Sequence, residues 1–437
     1  MQARKAILIA GLGFGDEGKG SVVDYLTRQH NAHTVVRYNG GAQAGHNVVT
    51  QDGHQHIFSQ FGSGTFIPSV RTHLSQFIVV DPSSIIYEEQ HLRTLKIDDA
   101  FDRITIDSGA IIVTPFHKLI NQLTEISRGK KRYGSCGMGI GQAVEYFKRY
   151  GDKVLLAGDL KDIDTVAAKL KFIKEKTEKM LADIMPSLPD TEEVLEKISW
   201  IQNNDLIERY IEISCKIFAY RTNITDPNYT KEILDKDGTV IFEGAQGILL
   251  DPKFGFHPHV TKTDTTFANA LKLLEETGYN GQIKRVGVLR AYATRHGPGP
   301  LPTEDENLTR SLPDSHNQEN RWQGKFRVGY FDAVAIRYAM RTIGHLDDIA
   351  LTNLDRLIGV KPLKVCTSYS KNQKAVYKTL EKLRHRRDYQ RYVEFLTSLG
   401  IPISIVSLGP TAGDKFEVNK ISESFKSISF IDSPTTM

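Results

Sequence analysis

Cysteine is nearly absent from this chain: Cys136, Cys215 and Cys366 are spread over 437 positions. An odd, widely spaced set fits neither a disulfide framework nor a zinc-ligand pattern, so the three read as reduced thiols of a cytosolic protein. Long apolar runs are missing too. No stretch approaches the ~18 residues that cross a bilayer. The start, Met1 to Lys5 followed by a short apolar run and glycines, lacks the pattern of a secretory signal. Charge of one sign is not in excess. Lys and Arg number 56 against 52 Asp and Glu, a net +4, which is far from the basic surplus of a nucleic-acid binder and suits phosphorylated substrates. Repeats, low-complexity tracts and a linker are also lacking. With 40% hydrophobic and 25% charged residues, the composition supports a sizeable globular core.

What is present is a glycine-rich octet, Gly13-Phe14-Gly15-Asp16-Glu17-Gly18-Lys19-Gly20, directly after the apolar run Ala6–Ala10. It has the Gly-x-x-x-x-Gly-Lys spacing of a phosphate-binding loop between a strand and a helix that begins near Ser21. Glycines let backbone N–H groups approach phosphate oxygens, and a helix N-terminus adds positive potential. Lys19 can supply a point charge. The hydroxyl that usually follows the lysine is missing, since residue 20 is Gly, and a carboxylate, Asp16, sits inside the loop instead. A carboxylate beside phosphates needs a metal or a reacting proton to account for it, which points to phosphoryl chemistry.

Strand-like and helix-like segments alternate along the chain, the signature of a parallel sheet covered by helices. Expected strands are Ala6–Gly11, Thr34–Tyr38, Phe77–Val80, Thr239–Phe242, Arg285–Ala291, Ile349–Asn353 and Ile403–Ser407; several are continuously apolar, as in strands buried on both faces. Phe331–Arg341 reads as a helix with Phe331, Val334, Ala335, Tyr338 and Ala339 on one face. Gly297–Pro302 and Leu312–Asn320 read as exposed loops. The expectation is one α/β domain over residues 1–437, a large, mostly parallel sheet covered by helices, with a helical elaboration at about 160–220.

Further constellations follow strands. Tyr38 to Asn47 (Y-N-G-G-A-Q-A-G-H-N) is a second glycine-rich loop, in which His46 is the natural acid/base or charge stabiliser. Gly134 to Gly141 is a third, with Lys148 and Arg149 downstream. Phe242 to Gly247 (F-E-G-A-Q-G) puts Gln246 at a strand's carboxyl end, where open α/β sheets bind ligands. Thr261 to Thr266 offers hydroxyls before a helix, and Asn353-Leu354-Asp355 ends a strand; there Asp355 could accept from N1–H and the 2-amino group of guanine. Taken singly, each is explained as well by a turn or a helix cap. Two features read as decoys: the His54-x-His56 and His257-x-His259 pairs, which lack a third metal ligand, and the basic run Lys378–Arg391, which reads as one solvated helix.

On these residues the chain resembles the adenylosuccinate synthetase family over nearly its full length. The blocks are G-D-E-G-K-G (15–20), Y-N-G-G-A-Q-A-G-H-N (38–47), G-x-G-I-G (137–141), F-E-G-A-Q-G-I-L-L-D (242–251), P-H-V-T (258–261), R-A-Y-A-T-R-H-G-P-G-P-L-P-T-E (290–304), N-L-D (353–355) and S-L-G-P (407–410). The resemblance implies a magnesium-requiring, GTP-dependent ligase of purine nucleotide biosynthesis that joins IMP to L-aspartate through a 6-phosphoryl-IMP intermediate. Asp16 would accept the N1 proton, and His46 would stabilise the transferring phosphoryl group, with Lys19 and Gln246 also catalytic. Asp16 and the Gly45 carbonyl would hold magnesium. GTP would meet Gly15, Asp16, Glu17, Gly18, Lys19, Gly20, Ser21, Gly45, His46 and Asn47, with its base at Asn353, Leu354, Asp355, Ser407, Leu408 and Gly409. IMP would meet Asp16, Lys19, Gln43, Ala44, Gly45, His46, Cys136, Gln246 and Thr261, with Arg149 reaching across from the second subunit of a homodimer. A soluble cytoplasmic enzyme with no nucleic-acid or membrane partner is implied.

The chain departs from the family pattern on the amino-acid side. The family's T-T-G-R loop before G-[WY]-x-D is here Asn320 to Asp332 (N-R-W-Q-G-K-F-R-V-G-Y-F-D), with Gly324 and Phe326 where two functional arginines belong. Arg321, Lys325 and Arg327, with Arg295 from the T-R-H-G block, are the cations left to bind the amino acid, though Lys does not replace a bidentate Arg. Asn353 stands where Lys is usual, Cys136 where Thr is, and Gln43 where Asn is. Two other functions therefore stay open: the same mechanism with a different amino acid or purine nucleotide, and a non-catalytic GTP-binding regulatory protein, against which both Asp16 and His46 argue.

Overall fold

A computed structural model describes residues 4–314, 319, 321–385 and 388–418. Ten strands form its main sheet: β1 (Lys5–Gly11), β2 (Thr34–Arg37), β3 (Arg71–Leu74), β4 (Ile104–Asp107), β5 (Asn223–Thr225), β6 (Thr239–Gly247), β7 (Gln282–Arg290), β8 (Asp348–Thr352), β9 (Ile405–Ser407) and β10 (Lys415–Glu417). Their spatial order is β10-β9-β8-β7-β1-β6-β2-β3-β4-β5. Every pairing is parallel except β10 on β9.

The apolar run of β1 is continuous because both faces of the strand are covered. Ile7 and Ile9 pack with Val22, Val23 and Leu26 of helix α1 (Lys19–Gln29). Ala6, Leu8 and Ala10 face the opposite side, with Phe267, Ala270 and Leu273 at the helix Ala268–Glu276. A parallel sheet sends all its strands out through one edge. The segments that follow β1, β2, β6, β7, β8 and β9 therefore gather along a single rim, which is where the cleft lies.

Residues 163–221 form the helices Ile163–Ile184, Glu192–Gln202, Asp205–Tyr210 and Lys216–Arg221, the last two joined by a π-helical turn. Leu181, Val194 and Ile201 from this layer pack on Ile120 and Leu123 of the helix Pro115–Ser127. The chain then re-enters the main sheet as its edge strand β5.

Several expectations need correction. Phe77–Val80 contributes only the short strand Val79–Val80, paired with Ile111–Ile112 outside the main sheet. The place in the sheet belongs to β3, whose polar Thr72 and His73 hide it from a hydropathy reading. Both are buried because both are bonded: the Thr72 hydroxyl accepts from Gly62 N–H at 3.0 Å, and the His73 ring meets the hydroxyls of Thr105 and Thr230 at 3.0 and 3.1 Å. Phe331 and Asp332 are strand, and the helix spans Ala333–Ile343. Asp332 caps it by accepting from the N–H groups of Val334 and Ala335. Its buried residues are Ala333, Ile336 and Ala339, so the inward stripe is turned from the expected one. The basic run is a strand, Ala375–Leu380, followed by a helix that begins only at Asp388, with residues 386–387 outside the described set. Of the loop expected at Leu312–Asn320, residues 315–318 and 320 are likewise outside it, and Leu312 is buried.

Candidate active site

The phosphate loop leaves β1 and winds around its own glutamate. Glu17 is buried and accepts from the N–H groups of Gly13 and Gly15 at 2.9 and 2.7 Å. Its other oxygen pairs with Lys19 Nζ at 2.7 Å, and that ammonium also donates to the Gly15 carbonyl at 2.8 Å. Glu17 thus works inside the loop and does not line the cleft. Gly15 and Gly18 hold φ of 111° and 81°, values that favour glycine. The missing hydroxyl at position 20 has a steric cause. A Cβ on Gly20 would sit 2.8 Å from His46 Cβ and 2.9 Å from its carbonyl carbon, so α1 packs directly on the His46 strand.

Asp16 lies on the cleft floor with its side chain 25% exposed. Burial raises its pKa, aided by Glu17, while His296, Arg290 and Lys19 pull the other way. A carboxyl raised in this manner is suited to accepting a proton. His296 Nε2 stands 3.7 Å from its carboxylate.

His46 opens the hairpin His46–Val49/Gln55–Phe58. Its Nδ1 is 2.5 Å from the fully buried carboxylate of Glu243 on β6, which also accepts from the Ser63 hydroxyl at 2.5 Å and the Ser63 N–H at 2.9 Å. Despite its burial, Glu243 is held down to a pKa of about 2 by Arg37, His46 and Ser63. An ionised carboxylate only accepts, so Nδ1 carries the proton. Nε2 is buried and has no partner among the described residues. Burial holds the His46 pKa down to about 4, leaving the ring neutral in the free chain.

Opposite, Gln246 ends β6 in a left-handed conformation, φ 60°. Asn39 stitches this turn to the second glycine-rich loop, accepting from Ala245 N–H at 2.6 Å and donating to the carbonyls of Ala245 and Asp264. The Gln246 side-chain oxygen accepts from Thr263, which neighbours Thr261. Gln43 and Cys136 line the same cleft, and Gln43 Oε1 is buried without a partner among the described residues.

At the far end, Asn353 leaves β8 with φ 56°, and Ser407 donates to the Gly409 carbonyl. Asn353, Asp355, Ser407 and Gly409 line the cleft; Leu354 and Leu408 do not. Burial raises the pKa of Asp355. One cleft of about 870 Å³ therefore holds Gly15, Asp16, Gly18, Lys19, Gly20, Ser21, Gln43, Ala44, Gly45, His46, Asn47, Cys136, Gln246, Thr261 and Arg295 together with those four.

Of the expected amino-acid cations, Arg295 and Arg327 stand opposite each other in an antiparallel strand pair, each with its terminal nitrogens turned to internal partners. Arg327 spends its donors on the carbonyls of Gly297 and Gly299 and on Glu304. Arg321 pairs with Glu193 beside the Trp322 ring, and Lys325 is exposed. Only Arg295 lines the cleft; it lies over Phe14 and donates to the carbonyls of Pro300 and His259. Arg149 is exposed near Tyr150, outside the cleft. As for the histidine pairs, His54 sits by Asp52 and His56 against His91. No group of three or more His, Cys, Asp or Glu that could hold a metal is found among the described residues.

Reasoning from sequence missed Glu243, Arg290, His296 and Asp314. Glu243 lies inside the quoted F-E-G-A-Q-G block, so a signal existed. Asp314 carried none.

A profile of the adenylosuccinate synthetase family matches residues 8–386. Adenylosuccinate synthetases of Thermoplasma volcanium and Chlorobium chlorochromatii are 33% and 32% identical to this chain, covering 85% and 93% of it and 80% and 95% of the relatives. Among solved structures, the fully ligated adenylosuccinate synthetase of Plasmodium falciparum superposes with a TM-score of 0.76 at 22% identity, over 94% of this chain and 99% of that one. A cyanophage S-2L succinoaminodeoxyadenylate synthetase bound to dGMP and dATP gives 0.64 at 17% identity, over 97% and 98%. At these identities the two structures speak for the fold alone.

Proposed function

The chain belongs to the adenylosuccinate synthetase family, and from that premise we propose that it joins IMP to L-aspartate, with GTP converted to GDP and phosphate. The observation that carries this reading is the single cleft in which Asp16, the N-terminus of α1 and His46 share space with Gln246 and Thr261 on one side and with Asn353, Asp355 and Ser407 on the other.

IMP presents a C6 carbonyl that an amine cannot displace. Asp16, raised toward a basic role, takes the N1 proton, and the resulting O6 oxyanion attacks the γ-phosphorus of GTP. The backbone of residues 15–20 and the α1 N-terminus receive phosphate oxygens. Glu17 keeps the loop curled, and Lys19 supplies positive charge from within it. His46 turns Nε2 to the transferring group. Being neutral and isolated in the free chain, it can take up a proton once phosphate charge arrives and then donate. The amine of the amino acid next displaces phosphate at C6. Gln246 and Thr261 would hold the purine, and Asp355 would favour guanine through its N1–H and 2-amino donors.

Magnesium fits the donors present: the Asp16 carboxylate and the Gly45 carbonyl are hard oxygen ligands lining the cleft, and such ions commonly complete their shell with phosphate oxygens and water. When bound it would neutralise charge on the transferring phosphates. We place the enzyme in the cytoplasm as a homodimer, with Arg149 offered to the partner's nucleotide. No helix among the described residues is long and apolar enough to cross a membrane.

A second reading keeps this mechanism with another amino acid or purine nucleotide. It is favoured by the commitment of Arg321 and Arg327 to internal partners. Phosphate release from GTP, measured against a panel of purine nucleotides and amino acids, separates the two. Acceleration only with IMP and aspartate together selects the first, and acceleration by another pair selects the second.

A further inference from the structure

Arg290, at the carboxyl end of β7, is a guanidinium with unused capacity. Its side chain is only 8% exposed, yet it lines the cleft. One terminal nitrogen reaches the main-chain oxygen of Asp16 at 3.3 Å, the other meets the Asp314 carboxylate at 2.9 Å, and Nε is buried with no partner among the described residues. The aromatic ring of Tyr292 lies 4.7 Å from its centre and fixes its plane. Asp314 also lines the cleft, 12% exposed, on a segment tied down by Arg356 through the Pro313 carbonyl at 2.5 Å. An acidic side chain thus reaches into a site for anionic substrates and occupies an arginine next to the residue assigned as base.

We propose that Arg290 is the receptor for a carboxylate of the amino-acid substrate and that Asp314 holds this receptor as an internal competitor when the substrate is absent. The inference rests on the ligase reading above. In that reaction the amine attacks C6, adjacent to the nitrogen that Asp16 deprotonates. The carboxylates of an α-amino dicarboxylic acid are a few bonds from the amine, so they must find cations close to Asp16. Arg290 touches the backbone of Asp16 itself. The cations that sequence nominated are otherwise placed: both terminal nitrogens of Arg295 serve carbonyls and none serves a carboxylate, Arg327 clamps residues 297–304, Arg321 pairs with Glu193, and Lys325 is exposed outside the cleft. Arg290 offers the planar, multi-donor geometry that carboxylates prefer, and its present partner is itself a carboxylate. When the amino acid arrives, Asp314 swings off and the substrate carboxylate takes its place. The ligand class is a dicarboxylic α-amino acid.

The competitor model demands effects of opposite sign. Steady-state kinetics on the full chain would compare wild type, Asp314→Asn and Arg290→Lys, with thermal melts to confirm folding. Removing the competitor raises the fraction of receptor that is free, so Asp314→Asn should lower the amino-acid KM by about three- to tenfold. Replacing the fork with a point charge should raise it by about tenfold or more, and KM for IMP and GTP should stay within about twofold in both variants. A rise in amino-acid KM for Asp314→Asn, or no change for a folded Arg290→Lys, overturns the assignment. Should Arg290→Lys fail to fold, the sign of the Asp314→Asn effect decides alone. If wild type releases no phosphate with any nucleotide and amino-acid pair, the ligase reading falls and this inference with it. If wild type turns over and only the variants disobey, the ligase reading stands and the roles of Arg290 and Asp314 fall.

Discussion

Around the phosphate loop and His46, buried charges are neutralised by side chains or main-chain groups, and Asp16 and His46 are left lining the cleft. Glu17 turns inward and curls the loop, while Glu243 grips Nδ1 of His46 and leaves Nε2 open. Across the cleft the logic is reversed. Arg327 and Arg321 turn their donors to the protein itself, and Arg290 is occupied by Asp314. The first region is preorganised, so its dipoles need little rearrangement when charge develops. In the competitor model proposed above, the second exchanges internal partners for a ligand, and the competition would reduce affinity there. On the proposed function, the half assigned to phosphoryl transfer would be built for rate, and the half assigned to the amino acid for selection.

The largest effect should come from the preorganised side. Asp16→Asn removes the proposed base and the proposed oxygen ligand together, and kcat should fall by about 10³-fold or more, while GTP binding by calorimetry stays within about an order of magnitude. A variant that keeps a tenth of wild-type kcat would break the assignment. Next, Glu243→Gln presents an amide where Nδ1–H needs an acceptor, which frees the ring to adopt the wrong tautomer. We expect kcat to drop about 10²-fold with little change in KM, close to the loss from His46→Ala, and nitrogen NMR of the imidazole to report the tautomer directly. A change confined to KM would make His46 a ground-state binder.

On the amino-acid side, Arg327→Leu releases Gly297, Gly299 and Glu304 at once. The amino-acid KM should rise by about tenfold and exceed any rise for IMP or GTP, because the clamp on residues 297–304 is lost. An unchanged amino-acid KM would show that the clamp does not shape that site. Gly20→Ser tests the contrast from the other direction. It restores the hydroxyl of an ordinary phosphate loop, yet its Cβ would lie 2.8 Å from His46 Cβ, so melting should show a loss of about 1–3 kcal/mol from overpacking. A gain in activity without loss of stability would refute the steric account.

The smallest effect concerns pH. His46 and His73 are held down to about 4 and His117 to about 3, all by burial. Unfolded histidines titrate near ~6.5, so the unfolded chain binds more protons as pH falls below that value. Stability is full above it and declines toward pH 4. The melting temperature should fall between pH 7 and 5, and His46→Ala should flatten that slope without abolishing it, since His73 and His117 lie outside the cleft. Glu243, held near 2, stays ionised across this window and adds nothing to the slope.

Much of this was legible in the chain. The continuously apolar β1 and the glycines after it announced a buried central strand feeding a phosphate loop, because both signals are local. Strand β3 was not legible, since Thr72 and His73 look like surface residues until Thr105 and Thr230 are brought to them. Periodicity found the helix Ala333–Ile343 but not its first residue, which the side chain of Asp332 determines. In the cleft, the identities of Asp16, His46 and Gln246 could be named from motifs, whereas the pairing of His46 with Glu243, 197 positions away, could not.

By itself, the sequence determined the kind of chemistry. Glycine spacing, an acid within the loop and a histidine in the second glycine-rich turn are properties of short segments, and their meaning survives without coordinates. Only the tertiary structure decided which charges are available. Arg327 and Arg290 are both arginines near the end of a strand, and nothing in their neighbours along the chain ranks one above the other. What separates them is the number of donors already consumed, three atoms of Arg327 against two of Arg290. That number depends on carbonyls and carboxylates brought in from distant segments, because a buried donor bonds to whatever the fold places within reach.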